Sequence, residues 1–325
     1  MRIRPLLLAC AVAVSCSPQS GLTRALSAEL RLRSTVNGLG ICRFLQESQI
    51  EVIFFDGTEQ ILTLPGIGNL YDVEETSQTL VCPLSFATQL RDRGLEGIMS
   101  GRFALLAANG KVVKTLGVSG WPWLLRISPD LSELAMLTGS GAGVSLEFGP
   151  TSWATHDTIY AVEQTTDYKP AAFAWSPDSK SLVYCLKDEI FVFDLTKRVS
   201  RKIALGSGPS WSPNGRFLAY RSKQNDISLY RFDDGKTTTA TQGIKVIGVP
   251  MWSPDSSYIL FTKYDASLAL RNPITMPTTD FIVLRVSDGA MTTVFTPGLG
   301  ADNGRFYWIQ LNQQRSEQSK RQDRP

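Results

Sequence analysis

A five-residue sequence recurs along the second half of the chain. Its copies begin at Trp175, Trp211 and Trp252. Each copy reads tryptophan, serine, proline, then aspartate or asparagine, then serine or glycine. A weaker copy, Ile-Ser-Pro-Asp, begins at Ile127. Proline sets the backbone angle that the second position of a tight turn requires, and aspartate or asparagine can bond its own backbone there. Each copy therefore predicts a turn that follows a strand ending at the lead residue.

The similarity between the copies continues after the turn. The residues seven, eight and nine places after each lead residue are all apolar or aromatic, which predicts a second strand. They are Leu134, Ala135, Met136, Leu182, Val183, Tyr184, Leu218, Ala219, Tyr220, Ile259, Leu260 and Phe261. A third strand follows in three copies, and hairpin turns at Asp234-Gly235 and Asp288-Gly289 each lead to a fourth. Four short antiparallel strands in about 40 residues are typical of one blade of a β-propeller.

Several blades must pack side by side, because one blade alone cannot bury both of its faces. The chain is therefore predicted to be all-β, a six-bladed β-propeller of four-stranded antiparallel blades over residues 29–311, with seven blades as the alternative. We expect the repeated tryptophans to lie between neighbouring blades. On that basis Trp211→Ala should cost about 3–5 kcal/mol of stability, as for other buried aromatic residues.

The first third and the end of the chain follow the pattern less clearly. Residues 51–57 with 61–64, and residues 103–108 with 112–116, each predict the third and fourth strands of a blade around a turn. The strand predicted at residues 305–311 has no later partner. We expect it to pair with N-terminal strands, which would close the ring and remove exposed sheet edges.

The repeat as a whole resembles a known one. Trp-Ser-Pro-Asp/Asn-Ser/Gly, followed by an apolar strand and a strand ending near Asp-Gly, is similar to the WD-like repeat of TolB-type β-propellers, over about residues 120–300. The resemblance implies a ring with loops at both ends, a central channel, and a protein or peptide partner in the cell envelope. TolB itself carries a small α/β domain before its propeller, and the sequence ahead of the predicted blades is too short for one.

The N-terminus has the order of a bacterial export signal, with a cationic start, an apolar run over residues 6–14 and a small, polar stretch after it. The run is too short to span a bilayer, which needs about 20 residues. We predict a signal peptide over residues 1–16. Residues 13–16, Ala-Val-Ser-Cys, also resemble the lipobox of bacterial lipoproteins, which implies lipidation of Cys16 and, with Ser17 after it, an outer-membrane location. Plain cleavage nearby, giving a periplasmic or secreted protein, is the alternative.

The charge of the chain argues against nucleic acid as a partner. The formal net charge is +3, and two of the arginines belong to the predicted signal. Nucleic-acid binding normally needs a concentrated basic face, and the body of the chain contains no long basic block. Residues 312–325 are basic but almost without apolar residues, so they are predicted to be a disordered tail. Contact with a membrane is expected only through the lipid anchor.

Three cysteines remain after the predicted signal, Cys42, Cys82 and Cys185. Export permits disulfides, and Cys42 with Cys82 is the pair to test. Cys185 lies inside an apolar strand pattern, so we expect it to be a small buried hydrophobic residue.

Residues that could carry chemistry are few and scattered. The one histidine, His156, precedes Asp157, but neighbouring loop residues rarely adopt the geometry of a catalytic base and its orienting acid. Zinc sites need several His or Cys ligands at close spacing, and the sequence contains no such group. Asp130, Asp178 and Asp255 are interpreted as turn formers. We therefore predict no catalytic residue, no metal and no cofactor.

A glycine-rich stretch lies at residues 139–143, Gly-Ser-Gly-Ala-Gly. It lacks the Lys-Ser/Thr of a phosphate-binding loop, and no helix pattern follows it. We interpret it as a long hairpin connection between two strands.

From the sequence we expect a non-catalytic binding or scaffold protein of the cell envelope. It would be exported to the periplasm, or held at the outer membrane as a lipoprotein through Cys16. The alternatives are a carbohydrate-active propeller enzyme and a sensor of a glycan or small ligand. Acids that converge in the channel would favour the enzyme, whereas small or apolar residues there would favour binding.

Overall fold

The computed structural model describes the chain from Leu39 to Gln310 in separate stretches. These are residues 39–46, 49–54, 59–63, 72–74, 79–83, 102–106, 112–119, 122, 124–140, 143–163, 172–264, 279–295 and 306–310. Their strands, β1 to β24, form six four-stranded antiparallel sheets, which we number 1 to 6 along the chain. The described stretches contain strands, turns and bends but no helix. The predictions of an all-β fold and of four-stranded antiparallel blades are confirmed.

Sheets 1 to 3 come from the first half of the chain, except that the last strand joins sheet 1. In pairing order, the strands are β24 (Phe306–Gln310), β1 (Leu39–Gln46), β2 (Gln49–Phe54) and β3 (Glu59–Thr63) in sheet 1; β4 (Asp72–Glu74), β5 (Thr79–Pro83), β6 (Arg102–Leu106) and β7 (Val112–Ser119) in sheet 2; and β8 (Leu124–Ile127), β9 (Glu133–Ser140), β10 (Gly143–Pro150) and β11 (Asp157–Val162) in sheet 3.

Sheets 4 to 6 contain the three copies that begin with tryptophan. In pairing order, the strands are β12 (Phe173–Trp175), β13 (Ser181–Leu186), β14 (Glu189–Asp194) and β15 (Val199–Leu205) in sheet 4; β16 (Ser207–Trp211), β17 (Phe217–Arg221), β18 (Ile227–Arg231) and β19 (Thr237–Thr239) in sheet 5; and β20 (Val246–Trp252), β21 (Tyr258–Tyr264), β22 (Thr279–Arg285) and β23 (Met291–Phe295) in sheet 6.

The first strands of successive sheets contact one another. β4 contacts β8, β8 contacts β12, β12 contacts β16, and β16 contacts β20, which in turn contacts β24 of sheet 1. β24 pairs antiparallel with β1, and Trp308 stands opposite Ile41. The sheets therefore follow one another around an axis. The predicted pairing of the last strand with an N-terminal strand is confirmed, and it covers an edge of β1 that would otherwise invite aggregation.

Apolar clusters fill the spaces between neighbouring sheets. Trp175 packs into the cluster between sheets 3 and 4, and the fully buried Trp252 packs into the cluster between sheets 5 and 6. Trp211 lies half-buried beside the cluster between sheets 4 and 5. The predicted position of the tryptophans between sheets is confirmed, but the three copies are not buried equally.

The recurring turn is stabilised by its own side chains. In sheet 4, Ser176 Oγ donates to Asp178 Oδ1 at 2.6 Å, and the backbone N–H of Lys180 donates to the same oxygen at 3.1 Å. Equivalent bonds surround Asp130 and Asp255 in sheets 3 and 6. The interpretation of these aspartates as turn formers is confirmed, because each carboxylate accepts bonds from within its own turn.

The interpretation of the glycine-rich stretch as a long connection is wrong. β9 runs to Ser140 and β10 begins at Gly143, and these two residues stand opposite each other. Only two residues therefore connect the strands. A Cβ added at Gly143 would lie 2.4 Å from the carbonyl oxygen of Val162 in β11. Glycine at this position lets the strands approach closely, so it belongs to the sheet and not to a loop.

The cysteines of the body lie on strands. Cys185 is buried in β13, as expected, and its thiol donates to the carbonyl oxygen of Gly206 at 3.4 Å. Burial raises the pKa of the Cys185 thiol to about 11, because the thiolate would lose its hydration. Cys42 lies in β1 of sheet 1 and Cys82 in β5 of sheet 2. Their disulfide stays a prediction.

Candidate functional site

The first strands of sheets 5 and 6 form a well-described part of the wall around the axis. We call the residues of β16 and β20 the axial surface. β16 loses its regular pairing with β17 between Ser207 and Ser210, and β20 loses its pairing with β21 between Ile247 and Met251. A bulge of this kind takes backbone groups out of the ladder. Parts of β16 and β20 therefore have backbone groups outside the regular pairing with the second strands.

Two glycines of the axial surface have backbone angles that favour glycine, and one of them faces the neighbouring strand. Gly208 and Gly248 have positive φ angles of 62° and 74°, in the left-handed region that favours glycine. A Cβ added at Gly208 would lie 3.2 Å from the carbonyl oxygen of Gly248 and 3.4 Å from Cα of Val249. A side chain at position 208 would push β16 and β20 apart, so Gly208 permits their close approach, whereas a Cβ at Gly248 would meet only Thr262 Oγ1 at 3.6 Å.

Side chains from the second strands fix the ends of the axial surface. Arg221 donates from Nε and Nη2 to Ser207 Oγ at 3.1 and 2.9 Å. Thr262 Oγ1 donates to the carbonyl oxygen of Ile247 at 2.7 Å. Within the surface, Trp252 Nε1 donates to the carbonyl oxygen of Ser210 at 3.1 Å and ties β20 to β16. The surface is thus held in one shape before any partner binds, which lowers the entropic cost of binding.

Carboxylates are scarce on the first strands. β8, β12, β16, β20 and β24, as the structure describes them, contain no aspartate or glutamate, whereas β4 contains Asp72 and Glu74. The two strands consist of serine, glycine, proline, valine, isoleucine, methionine and tryptophan, and their exposed or partly exposed residues are Ser207, Ser210, Trp211, Ile247, Gly248, Val249 and Met251. Hydrolysis of a glycosidic bond requires a pair of acids that converge on the bond. The composition of the axial surface instead suits the contact of a chain by shape and backbone bonds.

The histidine and its neighbouring aspartate face different partners. His156 Nε2 lies 3.9 Å from Glu147 Oε2, and its ring stacks on Trp153 with 5.0 Å between the centroids. Asp157 forms an ion pair with Arg198 of sheet 4 at 2.7 Å. A catalytic base and its orienting acid must share a hydrogen bond, whereas His156 stacks on Trp153 and Asp157 pairs with Arg198.

The remaining expectations concern metal ligands, membrane-spanning helices and the lipidated cysteine. Within the described stretches, no group of three or more His, Cys, Asp and Glu side chains could hold a metal ion. A helix with the length and apolarity to cross a bilayer is also missing from that part of the chain. Cys16, the residue predicted to be lipidated, lies outside the described residues, as does the stretch 312–325.

The axial surface was not singled out from the sequence, although the sequence contains a signal for it. A glycine and a proline stand a few residues before two of the repeated tryptophans, at Gly208-Pro209 before Trp211 and at Gly248 and Pro250 before Trp252. Proline inside a strand is confined to edges and bulges, and glycine there indicates a close approach of the backbone. This pattern predicts irregular first strands whose free edge faces the axis.

No family model matches the chain. Among solved structures, the chain is similar to a candidate TolB from Agrobacterium tumefaciens, with 19% identity and a TM-score of 0.51 over 79% of this chain and 88% of that one. It is also similar to TolB from Acinetobacter baumannii, with 15% identity and a TM-score of 0.48 over 80% and 69% of the two chains. At such low identity the first likeness concerns the fold alone. The fold of this chain is that of a TolB-type β-propeller, as the WD-like repeat predicted.

Proposed function

We propose that this chain is a non-catalytic scaffold of the bacterial cell envelope that binds a protein or peptide partner at the axial surface. The observation that carries the proposal is the axial surface itself. It combines small and apolar side chains, backbone groups outside the ladder and a shape fixed by side-chain bonds. Recognition by a rigid scaffold commonly uses such positions.

The chemistry of the surface favours an extended segment as the part of the partner that binds. Gly248 has no side chain and is exposed on β20, beside the partly exposed Ile247 and Val249. A segment in extended conformation can exchange backbone hydrogen bonds with irregular strands, and side chains between them supply specificity. The resemblance to TolB-type propellers implies the same class of partner.

The experiment compares two tryptophan substitutions in sheets 5 and 6. Val249→Trp places a large ring on the axial surface, next to Gly208. Thr238→Trp places the same ring on the exposed outer strand β19 and is the matched control. A partner is captured from envelope extracts with the unsubstituted protein, purified, and its affinity for each variant is measured. We expect Val249→Trp to weaken binding by at least about tenfold, equivalent to 1.4 kcal/mol, and Thr238→Trp to leave it unchanged.

Two results would count against the proposal. If both variants bind the partner as well as the unsubstituted protein does, with unchanged melting temperatures, the axial surface is not the binding site. If the protein cleaves an envelope polysaccharide, and Asp72→Asn or Glu74→Gln abolishes the cleavage, the carbohydrate-active enzyme is the correct reading. Among the strands that come first in their sheets, β4 is the one whose described residues include such acids.

Location is part of the same proposal. The protein would be exported and would reside in the periplasm, or at the outer membrane through a lipid on Cys16. Fractionation of cells that express the protein or Cys16→Ser tests the anchor. Loss of membrane association in the variant supports lipidation, whereas unchanged fractionation supports plain cleavage of the signal.

A further inference from the structure

A cavity of about 420 Å³ opens at one end of sheet 3, on strands β9, β10 and β11. This size lies within the range of small-ligand sites. Its polar side chains are Thr138, Ser145 and Glu163, and the rest of its lining is glycine, alanine and valine. The cavity lies on the second to fourth strands of the sheet, so it is distinct from the axial surface.

The hydroxyl groups of Thr138 and Ser145 both use their protons in hydrogen bonds within the protein. Ser145 Oγ lies 2.7 Å from Glu147 Oε1 and donates to it, because an ionised carboxylate can only accept. Thr138 Oγ1 lies 2.9 Å from Ser145 Oγ. Each hydroxyl has a single proton, and that of Ser145 is already used, so Thr138 must be the donor in this pair. Both hydroxyls therefore offer only lone pairs to the cavity.

The backbone adds few donors to this wall, because β10 is the middle strand of the three. Val144 pairs with Gly139 on one side and Val162 on the other, and Ser145 pairs with Thr138 and Ala161. The backbone N–H groups of β10 at the cavity are thus used within the sheet. Among the polar side chains of the lining, the lone pairs of two hydroxyls and the carboxylate of Glu163 remain, and β11 is the edge strand of the sheet. Among the described residues, no cation forms an ion pair with Glu163.

We propose that this cavity binds the ammonium group of a lysine side chain or of another primary amine. An ammonium group has three N–H donors and no acceptor, which matches three side-chain groups, two hydroxyls and one carboxylate, that offer only acceptors to the cavity. Its positive charge complements Glu163. The side chain of Ala161, which stands opposite Ser145 on the same face of the sheet, suits the methylene groups of a lysine stem, which bury against apolar surface while the charged end keeps polar contacts. The proposal does not depend on the function proposed for the axial surface.

The test uses two small probes that differ at one end. Nα-acetyl-lysine N-methylamide carries the ammonium group, and Nα-acetyl-norleucine N-methylamide has a similar stem without it. Titrations of the ¹⁵N-labelled full chain follow the amide signals of Gly139, Gly143 and Ser145. We expect saturable shifts of these signals with the lysine probe and none with the norleucine probe. Protein with Val249→Trp should give the same shifts, which separates this site from the axial surface.

Two variants test the role of the charge. Glu163→Gln keeps the shape of the side chain and should weaken binding of the lysine probe about fivefold, the upper end for a partly exposed ion pair. Glu189→Gln is the matched control, since Glu189 begins β14 in sheet 4 and pairs with Lys202; it should leave the affinity unchanged. Equal shifts with both probes, or an affinity that Glu163→Gln does not change, would overturn the proposal.

Discussion

At the scale of single residues, the same amino acid at the same place in the repeat has different bonds. Trp175 Nε1 donates to the carbonyl oxygen of Arg126 at 3.2 Å, and Trp252 donates to that of Ser210, so both reach the preceding sheet. The ring of Trp211 instead stacks on Phe232 with 4.2 Å between the centroids. Its Nε1 is buried and has no acceptor among the described residues. The three tryptophans of the repeat therefore make different contributions to the packing between sheets.

This difference gives a prediction for matched substitutions. Trp252→Phe removes the bond to the carbonyl oxygen of Ser210, whereas Trp211→Phe removes an N–H that has no acceptor among the described residues. We expect Trp252→Phe to lower the free energy of unfolding by about 1–2 kcal/mol more than Trp211→Phe does. Urea unfolding of the two variants measures this directly. Equal losses would show that the indole bonds contribute nothing to the packing of the sheets.

The structure also changes the expectation for removing the whole ring. The loss of about 3–5 kcal/mol expected for Trp211→Ala applies to a fully buried aromatic residue. Trp252 is fully buried and Trp211 is half-buried. We therefore expect Trp252→Ala to lower the free energy of unfolding by the full amount, and Trp211→Ala to lower it by less.

At the scale of the elements, neighbouring turns are joined by a serine in the last place of the repeat. The N–H of Asp130 donates to Ser179 Oγ, and that of Asn214 donates to Ser256 Oγ, each at 3.1 Å. Sheet 5 has Gly215 in this place, which has no hydroxyl to accept such a bond. The contact between sheets 4 and 5 thus lacks both the indole bond and the serine bond, and depends on its apolar cluster.

The serine bond can be tested with two adjacent residues. Ser256→Ala removes the acceptor for Asn214, and we expect it to lower the free energy of unfolding by about 1 kcal/mol. Ser257→Ala changes an exposed neighbour in the same turn and should stay within about 0.5 kcal/mol. Denaturant unfolding of both variants provides the comparison. A loss of the same size in both would assign the effect to the turn itself and not to the contact between sheets.

Most elements could be predicted because turns and strand patterns are local. The repeated turn located β13, β17 and β21, and Asp-Gly or Asn-Gly pairs located the strands at residues 49–63 and 102–119. The stretch 139–143 could not be assigned in the same way, because glycine is common in loops. Its place in a sheet follows from the approach of β11, which the sequence of the hairpin does not contain.

The candidate sites were harder to predict than the fold. The cavity of sheet 3 depends on which way hydroxyl protons point, and that direction is determined by Glu147 two residues along the strand. One part was within reach: with a two-residue connection at 141–142, Thr138 must stand opposite Ser145. The axial surface depends on two strands about 40 residues apart, which meet only after the ring forms.

At the scale of the whole molecule, the account depends on the radial order of the sheets. From β4 to β24 each first strand contacts the next, and β24 pairs with β1, so the last strand of the chain completes the sheet that contains the first. In that arrangement Trp175 and Trp252 pack against the preceding sheet. The axial surface lies on the side of the sheets that faces the axis. If β24 did not complete sheet 1, the edge of β1 would be exposed.

Truncation from the C-terminus tests this closure most directly. Removing residues 312–325 leaves β24 intact, and we predict an unchanged melting temperature and a monomer in size-exclusion chromatography. Removing residues 305–325 also removes β24, and we predict a melting temperature lower by roughly 10 °C, for a loss of a few kcal/mol in a chain of this size, together with larger species that pair through the edge of β1. If both truncated proteins melt at the temperature of the full chain and remain monomeric, β24 does not close the ring, and the radial arrangement is contradicted.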